Sequence, residues 1–147
     1  MQAYTRGLPA LAVSTSSFSA GRESLEAGAK AAAALVKRMA GEGFPRVFLN
    51  LNVPDLPLQK IAGLKLTRLA RSSHINTVTE DNEGPVRRYR LTRERLAGLD
   101  SEGTDIQAVL QGNMSLTPLY TSLFEKPPQG LLKKLCAEIE KSLPGRT

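Results

Sequence analysis

Val47-Phe48-Leu49-Asn50-Leu51-Asn52-Val53-Pro54-Asp55-Leu56-Pro57 is the stretch on which the fold turns. Val47, Leu49, Leu51 and Val53 alternate, the two-residue period that sets one row of side chains on one face of a strand. Phe48, Asn50 and Asn52 fall on the other face. Amides in the middle of an apolar strand need hydrogen-bond partners wherever they are buried. Pro54 has no N–H to give to a ladder, so the strand ends there.

Upstream of this strand the chain reads as α/β. Ala10-Leu11-Ala12-Val13 is a short apolar run without alternation, which suits a strand covered on both faces. Met1 to Arg6 reads as the tail of a helix that ends at Gly7-Leu8-Pro9. A helix is predicted over Arg22 to Ala40, with Leu25, Ala29, Ala32, Val36 and Met39 as its apolar stripe. Gly28, Ala29, Ala32 and Ala33 are small enough to let it lie close to a sheet. Glu26 and Lys30 stand four apart in the favourable order for an ion pair. Strand, helix, strand makes a βαβ crossover, hence a parallel pair. Two strands are too few to stand alone, which points to missing ones.

Downstream the pattern changes. Leu64 to Leu69 alternates, Ile75 to Thr79 is β-branched, and Val86 to Thr92 returns after a polar turn. Together these read as a long hairpin, 64–92, thin in apolar residues and in need of a partner. Arg93 to Leu99 reads as a short helix or loop. A turn, a helical turn and a strand follow over 100–119, and an amphipathic helix over 130–143 carries Leu131, Leu132, Leu135, Ile139 and Leu143 on one stripe.

Composition sets the outer bounds. A chain of 147 residues is one domain by length and can bury a normal core. It is 41% hydrophobic and 23% charged, as soluble globular proteins are. No apolar run approaches the ~20 residues of a membrane-spanning helix. Met1 to Val13 lacks the layout of a secretory signal, so the expected location is cytoplasmic. The net charge of +6 permits an anionic partner without demanding one.

The chemistry-bearing residues are sparse. His74 and Cys136 are the only histidine and cysteine, so no zinc spacing exists. Cys136 lies by the apolar stripe of the last helix and reads as a packed thiol. No nucleophile-elbow pattern accompanies His74. Asp100, Glu102 and Asp105 could offer oxygen ligands to magnesium or calcium. Thr104 and Asp105, however, open a Thr-x-x-Gln capping box ending at Gln107, which is the plainer reading. Arg87, Arg88, Tyr89 and Arg90 mix bases with one ring, a weak nucleic-acid signature beside the simpler one of an interface arm. No glycine-rich phosphate loop or dinucleotide fingerprint occurs.

Three segments in one order carry a resemblance. Gly7-Leu8-Pro9-Ala10-Leu11-Ala12-Val13-Ser14 comes first, then Leu49-Asn50-Leu51-Asn52-Val53-Pro54. Gly103-Thr104-Asp105 follows, with Ala108-Val109, Gly112 and Ser115-Leu116-Thr117-Pro118-Leu119. Over residues 1–120 the chain resembles the C-terminal part of the SurE family, the stationary-phase survival proteins. Those are metal-dependent 5′/3′-nucleotidases acting on nucleoside monophosphates.

The resemblance implies an α/β fold: the C-terminal portion of a Rossmann-type three-layer domain with a protruding hairpin and a C-terminal helix. Residues 1–147 would form a single incomplete domain, with 1–57 as its α/β portion. The family's divalent cation (magnesium or manganese) is held in its N-terminal half by an Asn-Asp-Asp-Gly turn, a Ser and an Asn. No paired aspartates occur here, so no catalytic or metal-binding residue carries over. The chain looks like a member begun at an internal methionine, or one piece of a split protein, inactive alone. Its implied partners are further copies of itself, through Ser73–Thr92 and the last helix, or a complementary N-terminal half. The alternative is a non-enzymatic module that lays its basic hairpin on RNA or DNA.

Overall fold

A computed structural model describes residues 1–16, 21–41, 44–70, 74–81, 87–95, 102–120 and 128–143. The first turn, α1 (Gln2–Thr5), is closed by Gly7 at φ +87°. The Gly7 N–H donates to Tyr4 O at 3.0 Å and the Leu8 N–H to Ala3 O at 3.1 Å, the bond pair of a Schellman stop. β1 (Ala10–Thr15), α2 (Arg22–Met39) and β2 (Phe48–Val53) then form the crossover. β1 and β2 pair in parallel from Ala10 opposite Phe48 to Thr15 opposite Val53.

The sheet does not stop at two strands. After a 3-10 turn at Leu58–Lys60, β3 (Leu64–Leu66) enters it, and so does a later strand, β6 (Met114–Leu119). The order is β1-β2-β6-β3, with β6 antiparallel to β2 and parallel to β3. Leu64–Leu66 therefore belongs to the main sheet and not to the arm expected over 64–92. The hairpin itself is β4 (His74–Asp81) with β5 (Arg88–Arg95). Arg93 to Arg95 continue β5, in place of the helix or loop that the sequence predicts. Pro118 is tolerated in β6 because it lies beyond the Met114–Leu116 segment that pairs with β3.

α3 (Asp105–Leu110) and α4 (Gln129–Ser142) complete the chain. Leu49, Leu51, Val53 and Leu116 point to one face of the sheet and are fully buried there with Leu35 of α2 and Leu132 and Leu135 of α4. α3 packs on β6 and β2, and its buried Ala108 stands outside that cluster, so α3 covers the opposite face. There Thr67 Oγ1 lies 2.7 Å from both Ser115 Oγ and Thr117 Oγ1, and Ser115 Oγ lies 3.3 Å from Thr117 Oγ1. A ring of three hydroxyls lets each donate once and accept once, so the buried polar atoms are satisfied.

Three expectations for the crossover need correction. α2 buries Ser24, Ala27, Gly28, Ala31, Leu35 and Met39, whereas Leu25 is 54% and Val36 53% exposed. A Cβ on Gly28 would sit 3.5 Å from Val53 Cγ2, so the smallest residues turn inward to let the helix approach. Glu26 pairs with Arg22, Nε to Oε1 at 2.9 Å, rather than forming the Lys30 pair. β1, for its part, is an edge strand: Ala12, Val13 and Ser14 are exposed, so it is not covered on both faces.

Candidate functional site

In sheets with parallel strands, ligands gather at the strands' carboxyl ends, where loops and free backbone groups meet. In this chain those ends are Ser14–Thr15 and Asn52–Val53. Ser14 Oγ donates to Asn52 Oδ1 at 2.7 Å, and Asn50 Nδ2 donates to the same oxygen at 3.1 Å. The register puts Ser14 opposite Asn52, and Asn52 opposite Ser115 of β6, so these polar groups share the face opposite the apolar core. Asn50 and Asn52 are half-buried and Ser14 is exposed.

The flanking loops are tied together at the same end. The Asp55 N–H donates to Ser16 Oγ at 3.0 Å, and the Gly21 N–H donates to Asp55 Oδ1 at 3.2 Å. The result is a row of hydroxyl and amide groups with fixed rotamers and one carboxylate already serving the backbone. Such a row can orient a phosphate or sugar hydroxyl. The amide-bearing face was visible in the sequence; its meeting with Ser14 depends on the parallel register.

The residues singled out earlier are placed elsewhere. Thr104 caps α3, its Oγ1 accepting from the Gln107 N–H at 3.3 Å. The Gln107 amide oxygen accepts from the Gly103 N–H at 3.0 Å, one residue before the usual capping-box donor. Asp105 Oδ1 accepts from the Ala70 N–H at 2.8 Å and the Ile106 N–H at 2.9 Å, which pins the segment after β3 to α3. Of its acidic neighbours, Glu102 is exposed and Asp100 lies outside the described residues.

On the hairpin, Arg87 Nε is 3.7 Å from Glu80 Oε1, which also accepts from the Tyr89 hydroxyl at 3.3 Å. Arg88 and Arg90 alternate with Tyr89 and so occupy the opposite face from its ring. Of Arg87, Arg88 and Arg90, only Arg87 thus shares the ring's surface, where both meet Glu80. His74 opens β4, and its side chain lies outside the described residues.

The family model "Survival protein SurE" matches residues 1–76, more than half of the 147. The chain belongs to the SurE family. Curated SurE relatives include a protein named 5'-nucleotidase SurE from Dehalococcoides mccartyi, 38% identical over 129 residues, 87% of this chain and 49% of the relative. One of the same name from Actinobacillus succinogenes is 38% identical over 119 residues, 80% of this chain and 47% of the relative. Among solved structures, the SurE protein of Aquifex aeolicus superposes with a TM-score of 0.64 at 30% identity, covering 89% of this chain and 52% of that one. The chain spans about half the length of the curated relatives it matches.

The SurE resemblance implies a divalent cation, and the donors among the described residues do not fit one. Among the described residues no three His, Cys, Asp or Glu side chains come together as a ligand group. The carboxylate nearest the polar row, Asp55, accepts from Gly21, and the remaining donors there are neutral. Cys136 is buried in α4, and burial, followed by the charge of Glu140, pushes its thiol up to about 11. That is a packed thiol, not a nucleophile. No helix among the described residues is long and apolar enough to cross a membrane.

Proposed function

We propose that this chain is one part of a metal-dependent 5′-nucleotidase, a phosphatase of nucleoside monophosphates. In this reading it supplies sheet strands and the Ser14–Asn52–Asn50 row, while a complementary segment brings the magnesium or manganese ligands. The observation that carries the reading is the pairing of that row with an open neighbour. The polar groups stand at the carboxyl ends of β1 and β2, and β1 is an exposed sheet edge with nothing paired beyond it among the described residues. An edge of this kind is a template for a further strand.

The chemistry agrees with a divided site. Phosphate-monoester hydrolysis needs positive charge on the equatorial oxygens and a water held in line. Neutral amides and a hydroxyl can position the monoester, but groups that bind substrate and transition state alike give no acceleration. The hairpin would join copies of the protein through Val78, Tyr89 and Leu91, all exposed on one of its faces. A cytoplasmic location suits such a substrate.

The test is a turnover assay with a nucleoside monophosphate and manganese. This chain alone should release no phosphate. Mixed with a protein bearing the N-terminal half of a SurE relative, it should, and Asn52→Leu should lower that activity by about tenfold or more, the loss of one polar contact at a reacting group. Chelator-sensitive turnover by the chain alone would overturn the reading.

A further inference from the structure

We propose that a cavity at the amino-terminal end of β2 and the carboxyl end of β6 binds a small aromatic anion with Arg46 as its anchor. It encloses about 270 Å³, with Tyr4, Arg46, Phe48, Pro118, Tyr120 and Pro128 among its walls. Phe48 is four residues before Asn52 on β2, about 13 Å along the strand at ~3.3 Å per residue. The cavity is therefore separate from the polar row, and its occupancy does not depend on the nucleotidase reading.

Arg46 is held in one orientation. Its guanidinium carbon lies 4.4 Å from the Tyr4 ring centroid, and Nε and Nη2 donate to Tyr4 O at 3.0 and 2.6 Å. Stacking and these paired bonds fix the guanidinium plane and leave the Nη1 N–H groups and the second Nη2 N–H as the donor pair for a carboxylate or phosphate. Its partners are a carbonyl and a ring, both neutral. Arg22, Arg38 and Arg87 each pair with a glutamate, but among the described residues no acid pairs with Arg46. Arg46 is exposed, so an anion can reach its guanidinium directly from solvent at the mouth of the cavity.

The rest of the cavity selects the ligand's body. The Tyr4 and Phe48 rings, stacked with centroids 5.9 Å and planes 28° apart and nearly buried, form the floor, while Pro118, Tyr120 and Pro128 supply the more open apolar walls. A planar ring bearing one anionic group would place its charge at Arg46 and its body against these walls. A carboxylate and a phosphonate offer the same chemistry to the fork.

The experiment is an amide ¹H–¹⁵N titration of the whole chain with benzoate, phenylphosphonate, benzyl alcohol and inorganic phosphate. Saturable shifts centred on Arg46, Phe48 and Tyr120 are expected from at least one aromatic anion, and the stronger of the two identifies the anionic group. Benzyl alcohol and inorganic phosphate should bind about tenfold more weakly, and Arg46→Lys, which keeps the charge but not the fork, should weaken the aromatic anion about fivefold. Absence of saturable shifts with the unmodified chain would overturn the proposal. So would equal binding of benzyl alcohol or inorganic phosphate, or undiminished binding by a folded Arg46→Lys variant.

Discussion

Asp105 is a carboxylate whose neighbours in sequence suggest a cation and whose neighbours in space are two backbone N–H groups. Because it is buried, removing it leaves those donors unsatisfied. Asp105→Ala should cost about 1–3 kcal/mol in urea denaturation, and Asp105→Asn, which keeps the accepting oxygen, clearly less. Equal losses for the two variants would contradict its role as a backbone acceptor. Cys136 gives a pH-dependent prediction. Its thiol is raised from 9.0 to about 11 in the folded chain, first by burial and then by Glu140. Between those values the unfolded chain has lost the proton that the folded chain keeps, so stability falls as pH rises through that window. The full effect is roughly 2–3 kcal/mol. Comparing the pH dependence of unfolding with that of Cys136→Ala checks it: the variant should show a shallower decline above pH 9.

Among the elements, α2 shows how far periodicity reaches. Its existence and ends follow from the sequence, yet its inward face does not, because a stripe chosen by side-chain size picks Leu25 and Val36. The contact with Val53 is made by Gly28, and closeness of approach decides which way the helix turns. Leu35→Ala should cost about 2–5 kcal/mol as a buried cavity, and Val36→Ser about 0.5 kcal/mol or less as an exposed change. The reverse order in chemical denaturation would restore the original stripe. The sequence pattern assigns β3 to the hairpin for a related reason. Three alternating residues look alike in a hairpin and in a sheet, and only the long-range pairing with Met114–Leu116 tells them apart. On the hairpin, Val78 and Leu91 lie directly opposite each other and are 64% and 68% exposed. Substituting both by Thr should shift sedimentation toward the smaller species with little change in unfolding midpoint; unchanged assembly would remove the arm from the interface.

For the molecule as a whole, the four-stranded sheet carries helices on both faces and is open along its β1 edge among the described residues. α2 and α4 close a continuous apolar core over one face, so the expectation that the sheet cannot stand without further strands is too strict there. The β1 edge is where a further strand would be gained. The SurE resemblance was legible in the order of three short motifs, and the polar row emerged only when β1 and β2 were brought into register. The central claim is that the cation's ligands come from outside these residues. Titrating manganese into the purified chain and following the free-ion paramagnetic signal tests it most directly. The free signal should grow linearly from the first addition; loss of one equivalent to the chain with micromolar affinity would contradict that claim.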